Sequence, residues 1–140
     1  MSNQGIGSWD TPQNHFKMKI EKWMIFYQSD INSYNKLVGD TNPLHFDEEF
    51  CAETIFEAPI VPGLLSSGLF GGLLGSNLPD GAILLGINLK FIAPIYINER
   101  ILVTVHLKEQ REDKPIATYK LVCFKADGEI AIDGEAILKL

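Results

Sequence analysis

The chain has 140 residues, enough for one domain with a real hydrophobic core. Hydrophobic residues make up 46% and charged residues 21%, the composition of a soluble globular protein and not of a disordered one. A net charge of −6 without any Lys/Arg cluster argues against a nucleic-acid partner, whose phosphates must be neutralised, although a few local basic side chains still suffice for a diphosphate-bearing ligand.

Residues 1–15 are polar, carry Gly5, Gly7 and Pro12, and read as a flexible tail. They lack the basic-then-apolar pattern of a signal peptide, so a cytoplasmic location is expected. Residues 16–140 read as a single domain. Phe16 to Gln28 is rich in Phe, Ile, Met, Trp and Tyr and is expected to form a first strand. Ser29 stands as an N-cap, Ile31, Tyr34, Leu37 and Val38 follow at helical spacing, and Gly39 marks the stop. Asn42-Pro43 is a turn signal, and Asp47 is placed to cap a short helix opened by Glu48 and Glu49.

Pro62 begins a segment that runs to about Asn77 and is apolar nearly all round, which predicts a buried helix. The surrounding stretch, Ile60 to Leu78, is broken by five glycines and makes a poor membrane span. Gly68, Gly71, Gly72 and Gly75 each weaken a helix, which suggests that another backbone approaches there. Four alternating stripes follow: Ile83 to Phe91, Ile101 to Leu107, Ala117 to Cys123, and Ile130 to Leu140 with Gly134 on the same face. Hairpin turns at Glu112 to Pro115 and at Asp127-Gly128 make this half an antiparallel meander. One sheet around one apolar helix buries the apolar face of each.

Cys51 and Cys123 sit among apolar neighbours with no metal-binding spacing, and read as reduced, buried thiols. Asp40, Asn42 and Leu44-His45 fail the calcium-loop pattern, because ligand and glycine positions are occupied by the wrong residues. Asp40, His45 and Asp47 are an incomplete metal set, and no metal is expected. GxSxG, P-loop and dinucleotide fingerprints are lacking. His15 in the tail and His106 on a polar strand face carry no assigned role.

The densest chemistry lies in Gly39 to Asp47, where a carboxylate, an amide and an imidazole share a turn. Spacing leaves Asp40 open to two readings, an Asx-turn residue or one half of an acid/base pair, and His45 likewise to a structural or a proton-transfer role. Asn42 reads as turn-former and hydrogen-bond organiser. Addition of water to a conjugated thioester needs a group that takes a proton from water as it attacks C3, a proton for C2, and donors for charge on the thioester oxygen. Asp40 and His45 converging on one water meet the first two needs. The amide of Gly63, at a helix start and without a side chain in the way, meets the third.

Gly39-Asp40-Thr41-Asn42-Pro43-Leu44-His45-Phe46-Asp47 resembles the hydratase motif of the MaoC-like (R)-specific enoyl-CoA hydratases. The resemblance continues through Phe56 to Leu64, Leu84 to Gly86, Leu89 to Ile95, Arg111 to Ala117 and Gly134 to Ala136, and so covers nearly everything after residue 28. It implies an α+β hot-dog fold, an antiparallel sheet wrapped around a central helix. It also implies a homodimer or dimer-based oligomer, with the acyl pocket near the subunit interface. Asp40 and His45 would activate the catalytic water, with Asn42 and Pro43 as motif support, and the N–H of Gly63 would bind the thioester oxygen. The substrate would be a trans-2-enoyl-CoA and the product the (R)-3-hydroxyacyl-CoA, with no cofactor beyond the coenzyme A of the substrate and with no nucleic-acid or membrane partner. Two positions depart from the pattern. Pro62 stands where many members have histidine, and Gly71 where some place a serine that bonds the catalytic aspartate. A hot-dog acyl-CoA thioesterase and a non-catalytic acyl-thioester-binding module are the competing functions. The Asp-x4-His pair favours hydration over the first.

Overall fold

A computed structural model describes residues 19–140. The expected tail, residues 1–15, and the start of the expected first strand lie outside the described residues. The elements are β1 (Lys19–Ile25), α1 (Gln28–Val38), a 3-10 turn (Pro43–His45), α2 (Glu48–Ala52), α3 (Gly63–Asn77), β2 (Ile83–Phe91), β3 (Arg100–Gln110), β4 (Ile116–Phe124) and β5 (Ile130–Lys139). Among the described residues no helix is long and apolar enough to cross a membrane.

The strands form one antiparallel sheet in the order β1-β3-β4-β5-β2. Only β3 to β5 follow one another as a meander. The expectation that β2 joins it in sequence fails, because the segment after Phe91 crosses the sheet and leaves β2 paired with β5 at the far edge. Register sets Ile20, Val105, Leu121, Gly134 and Leu89 in one row across all five strands. A side chain at Gly134 would fall on the carbonyl of Asn88, so glycine is what allows β5 and β2 to lie this close.

The helix α3 lies on the apolar face of the sheet. Phe70, Leu73 and Leu74 bury there against Ile101, Val103, Val105, Tyr119, Leu121 and Ile132. Period-two burial through β3 and β4 matches the sequence stripes. In β5 a register irregularity opposite Cys123 and Phe124 shifts the phase, so Ala131 is buried and Ile130 is 37% exposed.

Three local expectations change. Tyr27, not Ser29, occupies the N-cap of α1, and its N–H donates to the Asp30 carboxylate at 2.9 Å, a contact that suits a negative charge in the first turn. Only Ile31 and Asn35 of α1 are buried, while Leu37 and Val38 point outward. The central helix is buried on one face only. Leu64 is 72% exposed, and a Cβ on Gly68, Gly71, Gly72 or Gly75 would meet nothing within 4 Å among the described residues. Among the described residues no second backbone fills that stripe, because the sheet packs against the opposite face.

Candidate active site

The end of α1 delivers the carboxylate. Gly39 takes a left-handed conformation (φ 81°), and both its N–H and that of Asp40 donate to the carbonyl of Asn35, which turns the chain sharply out of the helix. Oδ1 of Asp40 accepts the N–H of Asn42 at 2.9 Å, and Oδ1 of Asn42 accepts the N–H of Leu44 at 3.1 Å. Pro43 opens the 3-10 turn at a position where its missing N–H costs nothing. These two Asx contacts wind five residues tightly enough to bring His45 back to Asp40.

Oδ2 of Asp40 lies 3.6 Å from Nε2 of His45. The other ring nitrogen, Nδ1, is 2.9 Å from the carbonyl oxygen of Ile60. A carbonyl only accepts, so Nδ1 carries the hydrogen, and Nε2, the nitrogen facing Asp40, is the one that can take up or release a proton. His45 is buried, whereas the Asp40 side chain keeps nearly a third of its surface open. The turn is held from three sides. The Gln28 amide donates to the His45 carbonyl (3.0 Å), the Ile60 N–H to the Leu44 carbonyl (3.0 Å), and the Cys51 thiol lies 3.4 Å from the same Leu44 oxygen. Burial, with a smaller push from Asp47, raises the pKa of that thiol and so disfavours the thiolate. Asp47 is engaged elsewhere. Its carboxylate caps α2 through the N–H of Phe50 (3.0 Å).

Gly63 is the first residue of α3, where the helix leaves an N–H without an intrahelical acceptor. The Pro62 carbonyl accepts from Leu65 and Ser66, and the hydroxyls of Ser66 and Ser67 both donate to the Gly63 carbonyl (2.9 and 2.6 Å), so the first turn is rigidly fixed. Gly63 edges a cavity of about 430 Å³ walled by Phe56, Ile60, Phe91, Pro94, Ile95 and Ile132. Phe91 lies directly on it, since a Cβ there would come within 2.7 Å of the ring.

Asp40, His45, Asn42 and Pro43 are thus brought together, and Gly63 lies in the neighbouring cavity. The dyad does not line that cavity itself. Ile60 joins the two, with its side chain in the cavity wall and its carbonyl on His45. Sequence reasoning assigned no role to Ile60, Gln28 or Phe91. A backbone carbonyl leaves no trace in residue type, and neither a lone glutamine nor a strand-end phenylalanine signals a site. Pro62 is buried at the cap of α3, where it contributes only its carbonyl. A Cβ on Gly71 would meet nothing within 4 Å among the described residues.

Residues 11–122 match the MaoC like domain. The chain belongs to the MaoC-like family. It is 43% identical over 116 residues to an (R)-specific enoyl-CoA hydratase of Aeromonas caviae, covering 82% of this chain and 87% of that protein. It is 38% identical over 123 residues to a mitochondrial 3-hydroxyacyl-[acyl-carrier-protein] dehydratase of Solanum lycopersicum, covering 86% and 74%. The solved structure of the A. caviae (R)-hydratase involved in PHA biosynthesis superposes with a TM-score of 0.84 at 41% identity, over 88% of this chain and 94% of the other. The fold is the hot-dog fold of MaoC-like hydratases, α+β, as the sequence resemblance implied.

Proposed function

We propose that the chain catalyses reversible hydration of trans-2-enoyl-CoA to (R)-3-hydroxyacyl-CoA. The observation that carries this reading is the gap between Oδ2 of Asp40 and Nε2 of His45. At 3.6 Å the two atoms are beyond a direct hydrogen bond yet near enough for one water, lying to the side of the line between them, to contact both. The Ile60 carbonyl holds the ring so that Nε2 is the basic nitrogen. The water gives one proton to the dyad as its oxygen bonds to C3. The electron pair of the C2–C3 bond moves toward the thioester carbonyl, and the dyad returns a proton to C2. The Gly63 N–H faces the charge that develops on the thioester oxygen. The steps involve only proton transfer and an oxyanion, so no cofactor or metal is called for beyond coenzyme A in the substrate.

The reading includes a homodimer. The edge strand β2 leaves Ile83, Leu84, Leu85 and Ile87 about half exposed, and the outer face of α3 presents Leu64 beside four glycines. Apolar edges of this kind are normally paired or covered. A cytoplasmic location belongs to the same reading. Either a coenzyme A thioester or an acyl-carrier-protein thioester presents the reacting enoyl group, and the identity to the A. caviae protein favours the former.

The deciding experiment follows loss of enoyl conjugation by absorbance with crotonyl-CoA and a longer trans-2-enoyl-CoA, with chiral analysis of the product and a thiol assay for free coenzyme A. Hydration to the (R) alcohol without thiol release is expected. Thiol release would make the protein a thioesterase, and binding without turnover would make it an acyl-thioester-binding module.

A further inference from the structure

Two segments paired with each other contribute to the wall of the acyl cavity, Phe56, Ile60 and Val61 from one and Pro94 and Ile95 from the other. Tyr96 joins them. Its hydroxyl donates to the Phe56 carbonyl at 2.8 Å, and its backbone pairs with Ile60, next to the 2.8 Å bond from the Val61 N–H to the Ile95 carbonyl. Tyr96 is itself fixed from the sheet. The Lys125 ammonium, largely buried, donates to the Pro94 carbonyl and, at 2.8 Å, to the Glu99 carboxylate. The same carboxylate oxygen accepts the Tyr96 N–H at 3.0 Å, and the ammonium lies 5.2 Å from the centre of the Tyr96 ring. A salt bridge this enclosed needs its partners tightly placed.

We propose that Tyr96 is a positioning residue that fixes where Phe56 stands in the wall of the acyl cavity and so selects acyl chain length. Among the described residues, its hydroxyl is the side-chain tie from the Lys125–Glu99 anchor to the segment that carries Phe56 into the cavity wall. The backbone pairing of Ile60 is separate from that tie, so the His45 contact survives when the hydroxyl is lost. The inference rests on the hydratase reading for its substrate class.

The test is Tyr96→Phe, which keeps the ring and removes only the tie. Relative to the parent chain, KM for crotonyl-CoA should rise about fivefold, the scale of one lost neutral hydrogen bond. For a medium-chain trans-2-enoyl-CoA, KM should hold or fall, and kcat should stay within about twofold for both because the dyad is untouched. Equal changes for the two chain lengths, or a lower melting temperature alone, would make Tyr96 an ordinary structural staple and overturn the proposal. If the parent chain turns over neither substrate, the hydratase reading fails by itself. The inference is then read from binding of saturated short- and medium-chain acyl-CoA by calorimetry, where Tyr96→Phe must change the ratio of the two Kd values. An unchanged ratio, or no binding of either by the parent chain, overturns it.

Discussion

Asp40 spends one carboxylate oxygen on its own turn and aims the other at His45: Oδ1 accepts the Asn42 N–H at 2.9 Å, and Oδ2 lies 3.6 Å from Nε2. The turn-forming and the acid/base readings of this residue are therefore compatible, and two substitutions separate them. Asp40→Asn retains an acceptor for the turn and removes the carboxylate, so the fold should persist while kcat drops about 10²- to 10⁴-fold with KM within a few-fold. Asp40→Ala removes both contacts and should also cost about 1 kcal/mol of stability. Steady-state kinetics beside melting curves read the two effects. Near-parental turnover in folded Asp40→Asn would reduce Asp40 to a turn residue.

His45→Gln should give a loss of similar size, because it removes the proton-accepting nitrogen from a ring set by the Ile60 carbonyl. Combined with Asp40→Asn it should lose much less than the product of the single effects if, as proposed, both groups act on one water. Multiplicative losses in the double mutant would show that the two act independently.

Gly63→Ala places a methyl 2.7 Å from the Phe91 ring, which is half exposed and free to swing. The expected result is a modest stability cost, roughly 1–2 kcal/mol, with at least about a tenfold fall in kcat/KM as the displaced ring enters the cavity. Pairing the change with Phe91→Leu should recover stability more than activity if the Gly63 amide serves the thioester oxygen. Full recovery of both would show that a methyl at this position does not obstruct the amide and that the glycine is needed only for packing against Phe91.

Light scattering at micromolar concentration should report a dimer or a multiple of it. Ile87→Arg on the exposed β2 edge should shift the population toward monomer, because a charge there opposes burial. A parent chain that runs only as monomer would remove the dimer from the reading.

Alkaline pH should destabilise the fold. Burial pushes the Tyr119 phenol and the Cys123 thiol each up to about 12, with Glu99 adding to the shift at Cys123. Both folded values exceed the unfolded ones, about 10 and 8.5. Above those unfolded values the unfolded chain binds fewer protons, so unfolding free energy falls as pH rises toward 12 and is unaffected by these groups below about pH 8. Denaturant titrations across this range should show the decline, and Cys123→Ala should flatten its lower part. A flat profile would mean that these groups ionise freely in the folded chain.

The sequence by itself determined which segments are apolar and at what period, and this was enough for the central helix, for β3 and β4, and for the stop at Gly39. Short-range chemistry was legible in part: Asp47 as a cap and the turn at Asn42-Pro43 were, whereas spacing alone left Asp40 and His45 open between a structural and a proton-transfer role. Tertiary structure decided what depends on distant neighbours. The crossover that carries β2 past the meander, the phase shift at Ala131 and the half-open face of α3 arise from which strand lies next to which, and no local pattern encodes that. The carbonyls of Ile60 and Phe56, which meet the His45 ring and the Tyr96 hydroxyl, are backbone acceptors that any residue type supplies, so only the folded path of the chain could bring them to their partners.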